Sequence, residues 1–269
     1  MSYQCPLCQH KLHVTHNQYR CENNHQFDNA KEGYVNLMPA HHKRSKNPGD
    51  NKEMMQARRA FLEAGHYQPM QQLVADFCQT YLTDESSTLL DIGCGEGYYT
   101  AEIQNRLVER RAQVFGLDIS KVAIKFAAKR YPNCQFSVAS SHRLPFSDQS
   151  LNGIVRIYAP CKAEELQRTI KDKGYLFTVT PASHHLFELR EEVYGEVRLH
   201  DEAAEEIEGF ELVKEEKLTY DMSLTGIEAL HLLDMTPFSW KATPEFKHDL
   251  ANKTSFMCKA DFMIRAYKK

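Results

Sequence analysis

Apolar positions along the chain fall into two regimes. From Thr88 to Thr180, the short apolar runs TLLDI, QVFGLD, QFSVAS, GIVRIYA and GYLFTVT alternate with amphipathic stretches such as KVAIKFAAKR and AEELQRTI. Runs of that length rich in β-branched and aromatic residues read as strands, and three-and-four spacing between them reads as helix. Their alternation predicts a parallel sheet with helices on both faces. The tail differs. FELVKEEKLTY and SFMCKADFMIRAY alternate like antiparallel strands, with a helical GIEALHLLDM between them. Upstream, a helix is expected from near Glu53 to Gly65, where glycine can cap it, and Pro69 opens another. In that second helix Met70, Leu73, Val74, Phe77, Cys78, Tyr81 and Leu82 form a core-facing stripe.

The first forty residues are too polar to bury a core of their own. Cys5, Cys8, Cys21 and His25 fall there as C-x2-C-x12-C-x3-H. Two close pairs separated by a dozen residues suit tetrahedral zinc, each pair gripping the ion from a tight turn while the spacer forms a hairpin. His10, His13 or His16 could replace His25 as the fourth ligand. Four protein ligands leave no open position, so the metal is expected to be structural. The other five cysteines (Cys78, Cys94, Cys134, Cys161 and Cys258) are scattered singly through apolar surroundings, as reduced buried thiols are.

The overall composition, 42% hydrophobic and 26% charged with a net charge of −3, is that of a soluble enzyme. No apolar run approaches the ~18 residues of a membrane span. MSYQCPLCQH lacks a basic-then-apolar signal pattern, so a cytoplasmic protein without membrane contact is expected. Charge is uneven, however. Residues 1–60 hold nine Lys/Arg against five Asp/Glu, whereas residues 188–217 hold twelve acids against four bases. A basic front end hints at a polyanionic partner, and an ordinary solvated surface is the plainer reading of the same residues. Residues 39–52, PAHHKRSKNPGDNK, read as a basic linker. The expected division is a zinc-binding RNA-recognition module at 1–40, a basic linker and helix at 41–66, and a catalytic domain at 67–269.

The first strand of the alternating region runs into Asp91-Ile92-Gly93-Cys94-Gly95-Glu96-Gly97. A dinucleotide fingerprint would be G-x-G-x-x-G; here the spacing is G-x-G-x-G, with an acid two residues ahead. A carboxylate beside the turn suits the cationic amino group of S-adenosylmethionine and would repel a pyrophosphate. Asp118, ending the second strand, can accept hydrogen bonds from both ribose hydroxyls. Ala139 and Ser140, ending the third, leave room for adenine. Together these features predict S-adenosylmethionine binding in a class I, Rossmann-like α/β methyltransferase fold.

These motifs, taken together, resemble the RlmA (RrmA) family of 23S ribosomal RNA guanine-N1 methyltransferases over nearly the whole chain. The resemblance rests on the zinc pattern from Cys5 to His25, then AKEGYVNLMP, GDNKEMMQARRAFLEAGHYQP and LDIGCGEGYYT. It continues through SSHRLPFSDQS, RIYAPCKAEEL and MTPFSW. The glycine loop is common to many methyltransferases, whereas the zinc module ahead of FLEAGHYQP and the late MTPFSW are selective. The likeness looks closest to the Gram-negative branch. It implies methylation of guanine N1 in a hairpin loop of 23S rRNA domain II, of the guanine(745) type. It also implies a homodimer, a basic RNA-binding cleft, and Tyr67 and His185 lining the cofactor pocket with Gly95 and Glu96. Spacing alone makes Tyr67 a core aromatic at a helix start, and His184 is as plausible an occupant as His185. Two departures stand out: Asn152 replaces the acid usual before the fourth strand, and Asp172-Lys173-Gly174 replaces a Pro-Gly-Gly turn.

Arg156 and Tyr158 end the fourth strand, where this fold receives substrate, and are candidates for placing the target base together with Phe238 and Trp240. Trp240 could instead pack a lid against the core. Lys43, Arg44, Lys46, Arg58 and Arg59 are candidates for phosphate contacts. A methyltransferase for transfer RNA or a small molecule would keep the glycine loop but give the zinc module no task. A non-catalytic zinc-ribbon module would leave the cofactor motif unexplained.

Overall fold

In a computed structural model of the chain, the structure describes residues 3–39 and 52–269. Strands β1 (His13–Thr15), β2 (Gln18–Arg20) and β3 (Gln26–Asp28) form a small antiparallel sheet, followed by the two-residue strand β4 (Val35–Asn36). Helix α1 (Lys52–Glu63) buries Met55, Ala57 and Phe61, and Gly65 at φ +86° turns the chain after it. Helix α2 (Gln68–Tyr81) carries Pro69 in its first turn, where the missing N–H costs nothing. Met70, Val74, Phe77 and Cys78 of the expected stripe are buried, together with Ala75, while Leu73 and Tyr81 are partly covered.

The alternating region follows as β5 (Thr88–Ile92), α3 (Tyr98–Arg106), β6 (Gln113–Asp118), α4 (Lys121–Arg130), β7 (Gln135–Val138) and β8 (Leu151–Ile157). Ser120 caps α4 by accepting from the Ala123 N–H at 3.3 Å, and Lys129 and Arg130 close it against the negative end of its dipole. Next come α5 (Ala163–Thr169), β9 (Ile170–Pro181) and α6 (Phe187–Tyr194). The tail is β10 (Glu211–Leu224), α7 (Gly226–Asp234), α8 (Pro244–Ala251) and β11 (Phe256–Lys268). Strands β10 and β11 pair antiparallel, and β11 also runs antiparallel to β9.

The main sheet has the order β10-β11-β9-β8-β5-β6-β7-β4, with β5 central and parallel to both β6 and β8. That is the class I methyltransferase arrangement, and a topological switch lies where β5 sends its neighbours to opposite sides. Strand β4 extends the sheet beyond β7, pairing Val35 with Ser137 and Asn36 with Val138. The zinc-bearing segment also shares a core with the rest of the chain. Tyr3, 1% exposed, lies with its ring 5.5 Å from Phe115 and 5.3 Å from Phe146. Cys5, Leu12 and Cys21 belong to the same apolar cluster as Leu117 and Ile154.

Three local expectations change. The third strand stops at Val138, one residue before Ala139, whose N–H is instead donated to the Asp118 carbonyl at 3.1 Å. Asn152 lies inside β8, where its side-chain oxygen accepts from the Thr88 N–H and from the Lys171 ammonium. That amide ties β5, β8 and β9 together. Asp172-Lys173-Gly174 bulges out of β9: pairing jumps from Leu151–Ile170 to Gly153–Tyr175, and Lys173 sits at φ +64°.

Candidate functional site

The ligand atoms of Cys5, Cys8, Cys21 and His25 all lie within 4.8 Å of one another. Cys5 Sγ is 3.5 Å and Cys21 Sγ 3.4 Å from His25 Nδ1, and Cys8 Sγ is 3.6 Å from Cys21 Sγ. Zinc bonds of about 2.3 Å to sulfur and 2.0 Å to nitrogen put tetrahedral ligands roughly 3.5–3.8 Å apart. Three thiols and an imidazole at that spacing fit zinc. His10, His13 and His16 are exposed, and His10 pairs with Glu22 at 3.3 Å. The fourth position therefore goes to His25.

At the carboxyl end of β5 the chain turns through Gly93, Gly95 and Gly97 at φ of +70°, +55° and +82°. L side chains avoid that region, so the turn needs glycine at each position. A Cβ on Gly93 would stand 2.8 Å from Ala159 Cβ, and one on Gly97 2.9 Å from the Phe136 ring. A Cβ on Gly95 would meet nothing within 4 Å. Two of the glycines thus serve packing, and Gly95 presents bare backbone to open space where a ligand can approach. Asp118 holds this turn. Its carboxylate accepts from the Gly95 N–H at 3.0 Å and from the Ser120 N–H at 2.7 Å. A carboxylate at the end of the second strand can accept from a ribose diol. Asp91 is buried beneath the turn and accepts from the Thr100 hydroxyl at 2.6 Å. Ala139 is buried, its N–H on the Asp118 carbonyl, and the Ser140 hydroxyl accepts from the His142 N–H at 3.2 Å. A bare backbone loop, a ribose-type carboxylate and small residues just past the third strand fit S-adenosylmethionine.

Sequence alone missed that Glu96, inside this loop, is gripped by Arg59. Nε and Nη2 of Arg59 donate to its two oxygens, each at 2.6 Å. Arg59, also expected among the phosphate contacts, gives the Nε–Nη2 edge of its guanidinium to this carboxylate. Arg58 donates to the Met235 carbonyl at 3.2 Å. Lys43, Arg44 and Lys46 lie outside the described residues.

On the far side of β8, Tyr158 adopts φ +55°, an unusual conformation for a bulky residue, and its ring stacks on His185 with centroids 6.2 Å apart at 29°. His185 is buried against Phe262 at 4.6 Å and faces the Tyr67 ring at 6.3 Å. His184 is exposed. The structure therefore brings His185, and not His184, together with Tyr67 and Tyr158. Tyr67 is also the core aromatic that spacing suggests, edge-on to Phe61 at 5.0 Å and Phe262 at 5.1 Å. Burial, followed by the nearby His200, pushes His185 down to about 3, which keeps the imidazole neutral. Its Nδ1 accepts from the Asp261 N–H at 3.3 Å, so the ring proton sits on Nε2. Asp261, a lone acid in an apolar strand, also accepts from the Thr219 hydroxyl at 2.6 Å and the His184 N–H at 2.9 Å.

The remaining candidates are spread apart. Arg156 is 9% exposed and ion-paired with Glu205 from the acidic segment ahead of β10. Phe238 packs against Tyr194 at 6.2 Å. Trp240 is 75% exposed, so it packs no lid against the core.

Residues 3–46 match the family described as RlmA, N-terminal, and residues 83–233 match a methyltransferase domain family. The chain is 32% identical over 248 residues to the 23S rRNA (guanine(748)-N(1))-methyltransferase of Streptomyces fradiae, spanning 90% of this chain and 86% of that one. A Bacillus subtilis (strain 168) protein named for 23S rRNA (guanine-N(1)-)-methyltransferase activity is 30% identical, over 89% of this chain and 87% of its own. A Micromonospora griseorubida protein named for the same activity is 29% identical over the same shares. No helix among the described residues is long and apolar enough to cross a membrane. With a zinc ribbon and a cofactor loop built into one fold, the chain belongs to the RlmA family of S-adenosylmethionine-dependent 23S rRNA (guanine-N1)-methyltransferases.

Proposed function

We propose that the chain methylates guanine N1 in a hairpin loop of 23S rRNA domain II, with the guanine(745) specificity of the Gram-negative branch. The observation that carries this reading is the zinc ribbon docked on the sheet beside β7, so that one rigid core holds an RNA-recognition element and the cofactor loop. The motifs GDNKEMMQARRAFLEAGHYQP and MTPFSW support the family reading on which the branch rests. Residues 1–40 serve as the recognition module, 41–66 as the basic connection and 67–269 as the catalytic domain of a cytoplasmic homodimer.

S-adenosylmethionine, when bound, supplies an electrophilic methyl group. Gly95 offers its open backbone face to the cofactor, Asp118 its carboxylate to the ribose, Asp91 its own carboxylate to the amino group, and Tyr67, Gly93, Glu96, Gly97, Ala139, Ser140 and His185 complete the walls. Tyr158 presents a half-exposed ring, propped on His185, against which a looped-out base can stack. Alignment of guanine N1 with the methyl carbon is then the main catalytic contribution. The N1 proton must leave during attack, and His185 does not take it. A ring whose pKa lies near 3, with its Nδ1 occupied, is too weak a base. Its Nε2–H is a donor instead.

The test is transfer of labelled methyl to a transcribed domain II fragment, with the product located by mass spectrometry. 1-Methylguanosine at position 745 is expected. The same nucleoside at 748 would overturn the branch and keep the family, and another methylated nucleoside would overturn the regiochemistry.

A further inference from the structure

Glu96 sits between two glycines at positive φ, in the most permissive stretch of backbone around the cofactor seat. Such a loop needs tethers to hold one conformation. Asp118 supplies one through the Gly95 N–H, and Leu117 supplies another by accepting from the N–H groups of Gly93 and Cys94 at 2.8 and 3.1 Å. The tether on Glu96 itself comes from outside the sheet. Arg59 reaches from α1 and meets the carboxylate with two parallel hydrogen bonds. Its guanidinium lies 4.4 Å above the Phe126 ring of α4, and the Glu96 side chain is only 15% exposed. The same two helices are bridged again by Arg130 and Glu63 at 2.5 Å. A planar fork fixed on an aromatic face loses little entropy on pairing, and its geometry dictates where the carboxylate stands.

We propose that Arg59 is a positioning residue for S-adenosylmethionine: through Glu96 it fixes the Gly95–Gly97 backbone and makes cofactor affinity depend on helix α1. The inference rests on the proposed seating of the cofactor at that loop. Helix α1 is the helical part of the 41–66 connection, so the latch also joins the RNA-facing part of the chain to the cofactor. Arginine, and not lysine, is required, because a point charge keeps the attraction but not the two-pronged alignment.

The experiment is calorimetric titration of S-adenosylhomocysteine into the full-length, zinc-loaded protein, with thermal melting as a check on folding. Arg59→Ala should weaken binding about tenfold, which corresponds to roughly 1.4 kcal/mol. Glu96→Gln, a change on the loop side, should weaken it similarly. The double variant should be no worse than either single one, since both remove the same contact. Arg59→Lys should recover part of the loss. In methyl transfer, the KM for S-adenosylmethionine should rise while kcat at saturation stays within about twofold. Unchanged binding in Arg59→Ala, fully additive losses, or a fall in kcat alone would overturn the proposal. Gly95→Val separates it from the reading beneath. If that variant also binds normally, the loop is not the seat. If it loses binding while Arg59→Ala does not, only the role of Arg59 falls.

Discussion

The Thr100 hydroxyl donates to the Asp91 carboxylate at 2.6 Å, and both side chains are buried under the cofactor turn. Burial pushes the Asp91 carboxyl up to about 7, the Thr100 bond opposing the rise and the Asp118 charge adding to it. An unfolded chain ionises this group near 3.8, so between those values the folded protein binds more protons than the unfolded one. Its contribution to stability is therefore full in acid and is lost as pH rises through 7. Asp91→Asn removes that dependence. Compared with wild type, its melting temperature should improve from pH 5 to pH 8 while S-adenosylhomocysteine affinity falls. Melting curves at both pH values, with a binding titration at pH 8, decide it. A variant whose stability tracks wild type at both would show that Asp91 does not carry the dependence.

His185 shifts the other way. Its folded pKa of about 3 lies below the ordinary 6.5, so the unfolded chain binds the extra proton between those values. Stability from this group is present above 6.5 and is lost as pH falls towards 3. The Asp91 and His185 windows overlap with opposite signs, so each partly masks the other in wild type. Nitrogen chemical shifts of the His185 ring should show a neutral imidazole protonated at Nε2 from pH 5 to 9. A midpoint near 6.5 would contradict the buried geometry.

The three loop glycines should respond differently to alanine. At Gly93 and Gly97 a methyl group meets both an unfavourable φ and a neighbour closer than 3.0 Å, so folding should suffer by several kcal/mol. At Gly95 there is room, and the backbone penalty alone is about 1–2 kcal/mol. Gly95→Ala should therefore remain folded yet lose cofactor affinity, because its methyl group enters the ligand's space. Melting and binding measured on the same samples separate these outcomes.

Much of this site was legible in the chain because its signals are local. The C-x2-C-x12-C-x3-H spacing marks a metal site whatever surrounds it, and G-x-G-x-G after a strand marks a turn that only glycine makes. The two long strands of the tail were legible as strands, although β11 is buried on both faces from Ala260 to Tyr267 and does not alternate there. What stayed hidden depends on contacts across the fold. Arg59 and Glu96 are 37 residues apart, and nothing near Arg59 distinguishes an internal latch from a phosphate ligand. His184 and His185 are adjacent, and only the packing of Phe262 and Tyr67 decides which is buried. The docking of Tyr3 between Phe115 and Phe146 was equally invisible, since the first forty residues look self-contained in composition.

That docking makes zinc matter beyond its own ribbon. Cys5 and Cys21 ligate on one side and pack on the other into the cluster of Phe115, Phe146 and Ile154. Structural zinc sites contribute folding energy directly. Chelation, or Cys8→Ser, should therefore lower the melting temperature of the whole chain, not release a separate low-temperature transition. Metal analysis should find one zinc per chain. Two resolved transitions after chelation would show that the ribbon and the sheet unfold independently.

Trp240 gives the sharpest separation of stability from recognition. At 75% exposure it buries little, and surface changes of this kind usually shift stability by less than about 0.5 kcal/mol. Yet it stands on a short helical turn after α7, next in sequence to Lys241, whose ammonium lies 4.9 Å from the Tyr194 ring, in a region that offers both an aromatic face and a cation. Stacking on an unpaired base is worth about 1–3 kcal/mol by alanine substitution. Trp240→Ala should therefore melt like wild type and bind S-adenosylhomocysteine normally, while its KM for the domain II fragment rises about tenfold. Trp240→Phe should retain most of the affinity, since an aromatic face survives. Methyl transfer at several RNA concentrations distinguishes the cases. Unchanged RNA kinetics in Trp240→Ala would mean the exposed ring contacts no base.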